Sequence, residues 1–299
     1  MKILLIHKYG LGNQLFQYAA GVFYAMKYGA TLEILRKHNQ YNTALGHPRP
    51  FLLSNFCISA PYKKFTSLDR LTCSVSHRKR PLVILTRFAT RSEVLQEPYS
   101  QHWTFLPTLP VQPSTRVVYL EGYFQAYQYA QDVEEYLRTE LCYRRPPSGR
   151  NLEILERIRA AEYPVSLHVR GGDYAFWRSG ARLLPPSYYA RAMQTMLERI
   201  SNPTFFVFSD DIDFARESLP KGERMEFVDH NDESHPDEDL RLMSACRHHI
   251  IANSTFSWWG AWLNPCSTKV VCAPMTWQDD DPTTPFPDLL PPTWLCIPK

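Results

Sequence analysis

The chain has no run of 18 or more apolar residues, so its sequence predicts no membrane-spanning helix. Its formal net charge is only +3, which gives no support to nucleic acid as a partner. The seven cysteines are odd in number and form no Cys-X-X-Cys pair. This usage argues against a disulfide framework or a zinc site, and it favours a reducing, cytoplasmic compartment. The remaining composition is that of an ordinary globular chain of 299 residues, long enough for two domains.

Two nucleotide-binding motifs are also missing. The pattern G-x-x-x-x-G-K-[ST] is absent, which excludes phosphoryl transfer of the P-loop kind. The turn 10–13 (GLGN) lacks the third glycine of G-x-G-x-x-G, so we reject a nicotinamide site. The turn does follow an apolar strand over 2–8 and precede a helix over 15–28. This arrangement predicts a βα unit whose helix amino terminus is available to a ligand.

Proline-rich segments divide the chain. Residues 36–115 are irregular and proline-punctuated, and the segment 144–150 (RRPPSGR) is the best candidate linker, giving domains over 1–147 and 148–299. Beyond the linker, helices and strands alternate, which predicts a parallel sheet covered on both faces. Before the linker, the sequence predicts a strand at 117–120 and a helix at 129–140. Beyond the linker, it predicts strands at 164–170, 204–208, 249–252 and 270–273, and helices at 152–161, 187–200, 238–246 and 258–263.

The stretch from Pro61 to Ser92 is basic, with eight lysines and arginines against Asp69 alone. The plain interpretation is a solvated face. The alternative is peripheral contact with an anionic membrane or with an acidic glycan.

Three predicted strands of the second half end in polar groups. Because ligands of open α/β sheets bind outside the carboxyl ends of the strands, these groups are candidates for one site. They are His168, Arg170 and Asp173 after the first strand, Asp210 and Asp211 after the second, and Ser254, Thr255 and Phe256 after the third.

The chemistry of these groups suits a guanine nucleoside diphosphate. A guanidinium can donate two parallel hydrogen bonds to phosphate oxygens. A carboxylate can accept hydrogen bonds from the N1–H and the 2-amino group of guanine, and hydroxyls with N–H groups at a helix amino terminus form a diphosphate cradle. The alternatives are a surface arginine at 170, helix capping by Asp210 or Asp211, and a plain N-cap at Ser254 or Thr255. Together the groups favour a nucleotide-sugar glycosyltransferase of two facing α/β domains.

Five segments in order resemble the bacterial α-1,2-fucosyltransferases of glycosyltransferase family eleven. They are 10–21 (GLGNQLFQYAAG), 122–125 (GYFQ), 168–174 (HVRGGDY), 208–211 (FSDD) and 239–264. The resemblance implies a GT-B-like fold of two Rossmann-like domains facing across a cleft. It also implies GDP-β-L-fucose as the donor and inversion without a metal or cofactor. The acceptor would be the 2-hydroxyl of a terminal galactose on an oligosaccharide or glycolipid. The family's usual HxRRxDY pattern has arginine where this chain has Gly171.

The resemblance and the chemistry together assign roles. Arg170 and the N–H groups near Ser254 would stabilise the departing diphosphate. Asp173 is the candidate general base or acceptor-orienting group, with a structural role as the alternative. Asn13 and Gln14, on the turn with Gly10 and Gly12, would face the donor sugar. His168 would contact the ribose or diphosphate, with a core histidine as the alternative.

Two other functions remain open at this stage. One is a metal-dependent GT-A transferase, since the segments 211–213 (DID) and 279–281 (DDD) both contain the D-x-D pattern. The other is a non-catalytic protein that binds guanine nucleotide or glycan, in which Gly171 marks lost activity.

Overall fold

The computed structural model describes residues 1–36, 50–74, 81–98, 102–171, 183–232, 234–277, 286 and 288–299. The chain forms two compact units. The first comprises Met1–Arg144 with Phe286–Leu289, and the second comprises Arg145–Pro285 with Leu290–Lys299. The predicted boundary after residue 147 lies three residues from the observed one. The return of Phe286–Leu289 to the first unit was not predicted.

The first unit contains a parallel sheet of five strands in the order β3-β2-β1-β5-β4 among the described residues. The strands are β1 (Lys2–His7), β2 (Thr31–Arg36), β3 (Tyr62–Lys64), β4 (Ser92–Gln96) and β5 (Val117–Glu121). The helices are α1 (Leu11–Tyr28), α2 (Ser67–Thr72), α3 (Pro81–Thr90), α4 (Tyr127–Gln131) and α5 (Glu134–Glu140), with a 3₁₀ turn at Leu53–Asn55.

Burial of β1 on both faces explains its unbroken apolar run, as expected for a central parallel strand. Helix α1 packs on this strand, and it ends where Gly29 adopts a left-handed conformation (φ 57°) that a glycine reaches without strain. The strand, turn and helix predicted at the amino terminus are therefore confirmed, although the helix begins four residues earlier, at Leu11.

The second unit contains a parallel sheet of six strands in the order β11-β10-β9-β6-β7-β8 among the described residues. The strands are β6 (Pro164–Val169), β7 (Thr204–Ser209), β8 (Met225–Val228), β9 (His248–Ile250), β10 (Val271–Pro274) and β11 (Leu295–Ile297). The helices are α6 (Arg150–Ala160), α7 (Pro186–Arg199), α8 (Ile212–Ser218), α9 (Pro236–Ala245) and α10 (Thr255–Leu263).

Numbered within the unit, this strand order is the 3-2-1-4-5-6 order of doubly wound dinucleotide-binding folds. After β6, the next strands in the chain, β7 and then β8, lie on one side of β6. The chain then returns to the other side of β6 and continues through β9. The point where the order reverses lies between β6 and β9, and this is where such sheets bind ligands.

Several elements escaped prediction. The stretch 36–115, described above as irregular, contributes two edge strands and two helices to the first unit. Strand β3 reads Tyr-Lys-Lys and is exposed, so it shows no apolar pattern. The helix predicted over 129–140 is two short helices, α4 and α5, and strands β8 and β11 were missed at opposite edges of the second sheet. No helix among the described residues is both long and apolar enough to span a membrane.

Candidate functional site

The three strand ends selected from the sequence are neighbours in the second unit. Strand β6 pairs with β7 on one side and with β9 on the other, all in parallel. Their carboxyl ends therefore meet at one edge of the sheet, at the reversal point. Arg170, Asp210 and the segment before Ser254 leave the sheet there.

Arg170 is held by an ion pair at this edge. Its Nη1 atom lies 2.8 Å from Oδ2 of Asp210, and the two side chains are only 21% and 14% exposed. The other carboxylate oxygen, Oδ1, accepts a hydrogen bond from the backbone N–H of Gly171 at 2.9 Å. Asp210 thus joins the first strand end to the second. This geometry favours a role for Asp210 in orienting Arg170 over the guanine contact predicted from the sequence.

Asp211 begins the next helix. Its side chain accepts a hydrogen bond from the backbone N–H of Phe214 at 3.0 Å and so caps α8. The capping alternative raised for this residue is therefore the contact observed.

Gly171 fills a position with no room for a side chain. A Cβ atom added there would lie 2.9 Å from Cβ of Asp211 and 3.0 Å from Cδ1 of Phe214. In this backbone conformation, an arginine like that of the family's usual pattern does not fit. The neighbouring side chains therefore fill the space that a second arginine would need, which is consistent with glycine at this position.

The third strand end opens helix α10. Ser254 is the N-cap, and its Oγ accepts a hydrogen bond from the backbone N–H of Phe256 at 3.3 Å. The hydroxyl of Ser257 donates to the carbonyl oxygens of Ala252 and Ser254. The plain N-cap predicted as an alternative is thus present. The backbone N–H of Thr255 also belongs to this first turn, so the turn keeps its ability to face an anion.

His168 lies in the interior. It is 3% exposed, its ring centroid is 5.8 Å from that of Phe256, and Nδ1 has no hydrogen-bond partner in the described part of the chain. Burial, with the nearby Arg170 charge as a smaller cause, lowers the pKa of His168 to about 3. The side chain is therefore neutral, and its position matches the core-histidine alternative better than the predicted contact with ribose or diphosphate.

Asp173, the candidate base, lies outside the described residues, as does the segment 279–281. The role of Asp173 stays a prediction.

In the first unit, the turn after β1 carries the other predicted residues. Gly10 is the N-cap of α1 with extended backbone (φ −72°, ψ 171°), and Gly12 is buried in the first helical turn. Gln14 has no exposed surface. Its Nε2 donates to the carbonyl oxygens of Tyr9 and Pro50, and its Oε1 accepts from the N–H of Leu52. A side chain so enclosed cannot reach a ligand, so the direct contact predicted for Gln14 becomes a positioning role for the turn.

Asn13 is the half-buried polar side chain of this turn. Its Oδ1 accepts a hydrogen bond from Nε2 of Gln125 at 2.7 Å, and Oε1 of Gln125 accepts from Nε1 of Trp103 at 3.0 Å. Because the Trp103 bond occupies Oε1 of Gln125, the NH₂ group of Gln125 faces Asn13, and the oxygen of the Asn13 amide must point toward Gln125. The Asn13 amide nitrogen is thereby directed away from it.

Sequence reasoning missed an aromatic pair formed by Tyr9, which precedes the turn of Asn13, and Tyr123. The rings of Tyr9 and Tyr123 stack with centroids 4.8 Å apart and planes 5° apart. Tyr9 has a positive φ of 69° and its side chain is 41% exposed. Strained backbone of this kind clusters at functional sites. Tyr123 lies in the segment 122–125 noted above, but nothing in the sequence pairs it with Tyr9.

A buried carboxylate supports that pair. Glu97 accepts hydrogen bonds from the backbone N–H groups of Tyr123 (2.6 Å) and Phe124 (3.0 Å), and Phe124 also has a positive φ, 52°. Burial raises the pKa of Glu97 to about 7, although these N–H bonds oppose the shift. Gly122 is required here, because a Cβ atom would lie 2.5 Å from Cβ of Glu97.

The two parallel-sheet α/β units have the GT-B fold. Two solved structures match this fold, a fucosyltransferase and a FUT1 mutant. NodZ from Bradyrhizobium has a TM-score of 0.54 at 14% identity over 88% of this chain and 93% of its own. The mutant of FUT1 of Arabidopsis thaliana, in complex with GDP, has a TM-score of 0.53 at 13% identity over 96% of this chain and 73% of its own. The GT-A alternative is therefore wrong as to fold.

Residues 91–297 match the family model of glycosyl transferase family 11, and the chain belongs to that family. An α-1,2-colitosyltransferase of Escherichia coli is 29% identical over 97% of both chains. The O-antigen biosynthesis glycosyltransferase WbnK of Escherichia coli is 36% identical over 38% of both chains. The resemblance stated from five sequence segments is thus confirmed.

Proposed function

We propose that this protein transfers L-fucose from GDP-β-L-fucose to the 2-hydroxyl of a terminal β-galactoside, with inversion at the anomeric carbon. Membership of family 11 supports the reaction class. Among the relatives is a galactoside 2-α-L-fucosyltransferase of Mus musculus, 30% identical over 45% of this chain. A NodZ structure was obtained from crystals soaked with GDP-fucose.

The observation that carries the proposal is the oriented Arg170 at the reversal point of the second sheet. Breaking the bond between C1 and the phosphate oxygen leaves negative charge on GDP. A guanidinium fixed by Asp210 can receive that charge without first reorganising, which is the condition for effective electrostatic catalysis. The N–H groups of the first turn of α10 supply a second favourable field for the same diphosphate.

The reaction is a single displacement. The acceptor O2 forms a bond to C1 of fucose as the C1–O bond to GDP breaks, through a state with oxocarbenium character. The proton of the acceptor hydroxyl leaves in the same step. We assign it to Asp173, with a role of that carboxylate in orienting the acceptor as the alternative. No cofactor enters this scheme, and the diphosphate charge is received by protein groups, so transfer should proceed in EDTA.

The first unit would receive the acceptor. Sugar rings present apolar C–H faces that stack on flat aromatic rings, and the exposed Tyr9 ring backed by Tyr123 offers such a surface. The half-buried Asn13 amide, which lies on the turn that follows Tyr9 and is oriented by its bond with Gln125, offers a directed hydrogen bond. A stacked ring with an oriented amide is a combination suited to a galactoside.

A second candidate donor is an activated colitose. The colitosyltransferase relative matches over nearly the full length of both chains, which favours this candidate. Colitose is fucose without its 3-hydroxyl, so the two donors differ at one polar group. A site built to hydrogen-bond that hydroxyl would reject the deoxy sugar strongly, whereas a site without such a group would accept both. The ratio of kcat/KM for GDP-fucose and GDP-colitose distinguishes the two.

The decisive experiment is incubation of the purified protein with GDP-fucose and lactose in EDTA, followed by NMR of the product. Fucose α-linked to O2 of galactose is the expected result. Release of GDP without a fucosylated product would contradict the acceptor, and GDP binding with no turnover of either donor would favour the non-catalytic alternative. Arg170→Ala should abolish transfer while the fold is retained. Arg157→Ala, which removes an exposed arginine paired with Glu226 in the same unit, is the matched control.

A further inference from the structure

Helix α3 presents its apolar face to the outside of the first unit. Its large apolar side chains at 82, 84, 85 and 88 are each between 56% and 81% exposed, and Phe88 is the most exposed. At 100° per residue these positions, with Pro81 and Ala89, cover one continuous apolar arc of the helix. A helix on the surface of a protein in water normally shows the opposite orientation.

The inward face of the helix is the polar one, and contacts hold it there. Nε and Nη2 of Arg87 both donate to the carbonyl oxygen of Thr72 in α2, at 2.9 and 2.8 Å. The hydroxyl of Thr90 lies 2.7 Å from that of Ser92 at the start of β4. Val83 is buried on the same side. The helix therefore cannot rotate to bury its apolar arc without breaking these bonds.

Exposed arginines lie on the elements next to α3. Arg70 is in the last turn of α2, which packs against α3, and Arg91 follows α3 directly. Lys63 and Lys64 lie on β3, at the edge of the sheet opposite to β4, and Lys63 is paired with Glu33. The acidic residue of this stretch, Asp69, is buried and bonded to Thr66 and Tyr119, so its carboxylate faces inward. In the sequence, residues 78–80 (RKR) immediately precede the helix.

We infer that helix α3 docks on an anionic lipid bilayer. An apolar arc of this width inserts into the boundary between headgroups and acyl chains, and lysines and arginines beside it are attracted to anionic headgroups. The same charges argue against a second copy of this chain. A two-fold dimer places identical patches against each other, so its basic residues would be brought together. The inference does not depend on the proposed reaction.

The test is sedimentation of the purified protein with vesicles of phosphatidylcholine, with or without phosphatidylglycerol. Binding is expected only to the anionic vesicles and should weaken as ionic strength rises. The double variant L85S/F88S should bind at least about tenfold more weakly. The matched control is M26S/L152S, which removes two exposed apolar side chains from other helices. It should bind like the wild type.

A charge variant tests the other half of the inference. R70E/R91E reverses two exposed cations next to α3 and leaves the apolar arc intact, and it should lose about tenfold or more in binding to anionic vesicles. Far-UV circular dichroism and GDP binding confirm that each variant is folded. Equal binding to neutral vesicles would overturn the role of charge. A wild-type dimer that fails to bind vesicles, and that L85S/F88S converts to a monomer, would assign the surface to a second copy instead.

Discussion

Substitution of Gly171 by alanine is the sharpest test of the packing around Arg170. The added methyl group would lie 2.9 Å from Cβ of Asp211 and 3.0 Å from Cδ1 of Phe214, where ordinary contact begins at 3.4 Å. The Asp211 atom must therefore retreat by about 0.5 Å, and it belongs to the residue that caps α8. Neither neighbour is the free end of a flexible chain, so the backbone of the loop must move.

The expected loss of stability follows from overpacking, which costs about 1–3 kcal/mol in well-packed sites. For a unit of this size that corresponds to a fall in Tm of roughly 2 to 12 °C. The same shift carries the N–H of Gly171 away from Asp210. Loss of a hydrogen bond to a charged group costs about 1.5–3 kcal/mol. Since Asp210 also holds Arg170, we expect GDP to bind roughly tenfold to a hundredfold more weakly.

Thermal unfolding and calorimetric titration with GDP measure the two effects. Gly10→Ala is the control for unfolding, because a Cβ there meets no atom within 4 Å and φ is −72°. It should change the free energy of unfolding by only about 0.5 kcal/mol. The double variant G171A/F214A should lose less stability than the two single variants together, since one clash is removed. A G171A protein that melts and binds GDP like the wild type would refute the reasoning.

Three further predictions concern single side chains. The pKa of Glu97 is raised from 4.5 to about 7, so wild-type stability should fall as pH rises from about 5 to about 8, by about 2–3 kcal/mol from this group. Denaturant titrations of Glu97→Gln across that range should show a flatter profile, and an unchanged slope would contradict the assignment. The pKa of His168 is lowered from 6.5 to about 3, so acidification from about pH 7 to about pH 5 should remove about 2 kcal/mol of stability. His168→Phe should keep that stability, and an equal acid sensitivity in the variant would show that other groups cause it. Under the proposed function, Tyr9→Ala should raise the acceptor KM about threefold to tenfold without changing the donor KM, whereas Tyr62→Ala, at another exposed tyrosine of the same unit, should change neither. A change confined to the donor KM would place Tyr9 elsewhere in the reaction.

The second unit was largely predictable because its signals are local. Strand β6 is buried along all six residues and leads directly into Arg170, and β7 leads into Asp210 in the same way. Parallel strands bring their carboxyl ends to one edge, so the sequence alone placed these residues together. It could not show that Asp210 would bind Arg170, because that contact joins residues 40 positions apart.

Complete burial of β6 also explains the uncertainty about His168. A strand with one solvated face alternates polar and apolar side chains, and the alternation tells which residues face a ligand. In β6 the apolar Val165, Leu167 and Val169 do alternate with polar Ser166 and His168, but every side chain is buried, so the alternation does not separate a core histidine from a ligand-facing one. Here the distinction depends on burial of the ring and on the contact with Phe256, which only the structure supplies.

The first unit was less predictable because its functional surface is built from distant pairs. Glu97 supports Tyr123 and Phe124, Gln14 ties the turn to Pro50 and Leu52, and Gln125 fixes Asn13. Each partner by itself looks like an ordinary loop residue. Glu97 directly follows β4, which is only five residues long and lies at the edge of the sheet. Because such a strand is short and partly exposed, it shows no clear apolar periodicity in the sequence. Local patterns therefore gave no reason to connect Glu97 with the segment 122–125.

The absence of a second arginine has a consequence for the proposed mechanism. A family member with both arginines would have two guanidinium groups available to the departing diphosphate, whereas here Gly171 leaves Arg170 and the first turn of α10. Asp210 holds Arg170 through one carboxylate oxygen and the backbone of Gly171 through the other. One carboxylate thus holds both the Arg170 guanidinium and the backbone of the next residue, which reduces the reorganisation needed when charge develops. It follows that Asp210→Asn, which keeps the shape but weakens the hold on Arg170, should lower kcat more than it raises the donor KM. An effect on the donor KM alone would mean that Asp210 acts in ground-state binding and that its hold on Arg170 is not used in the transition state.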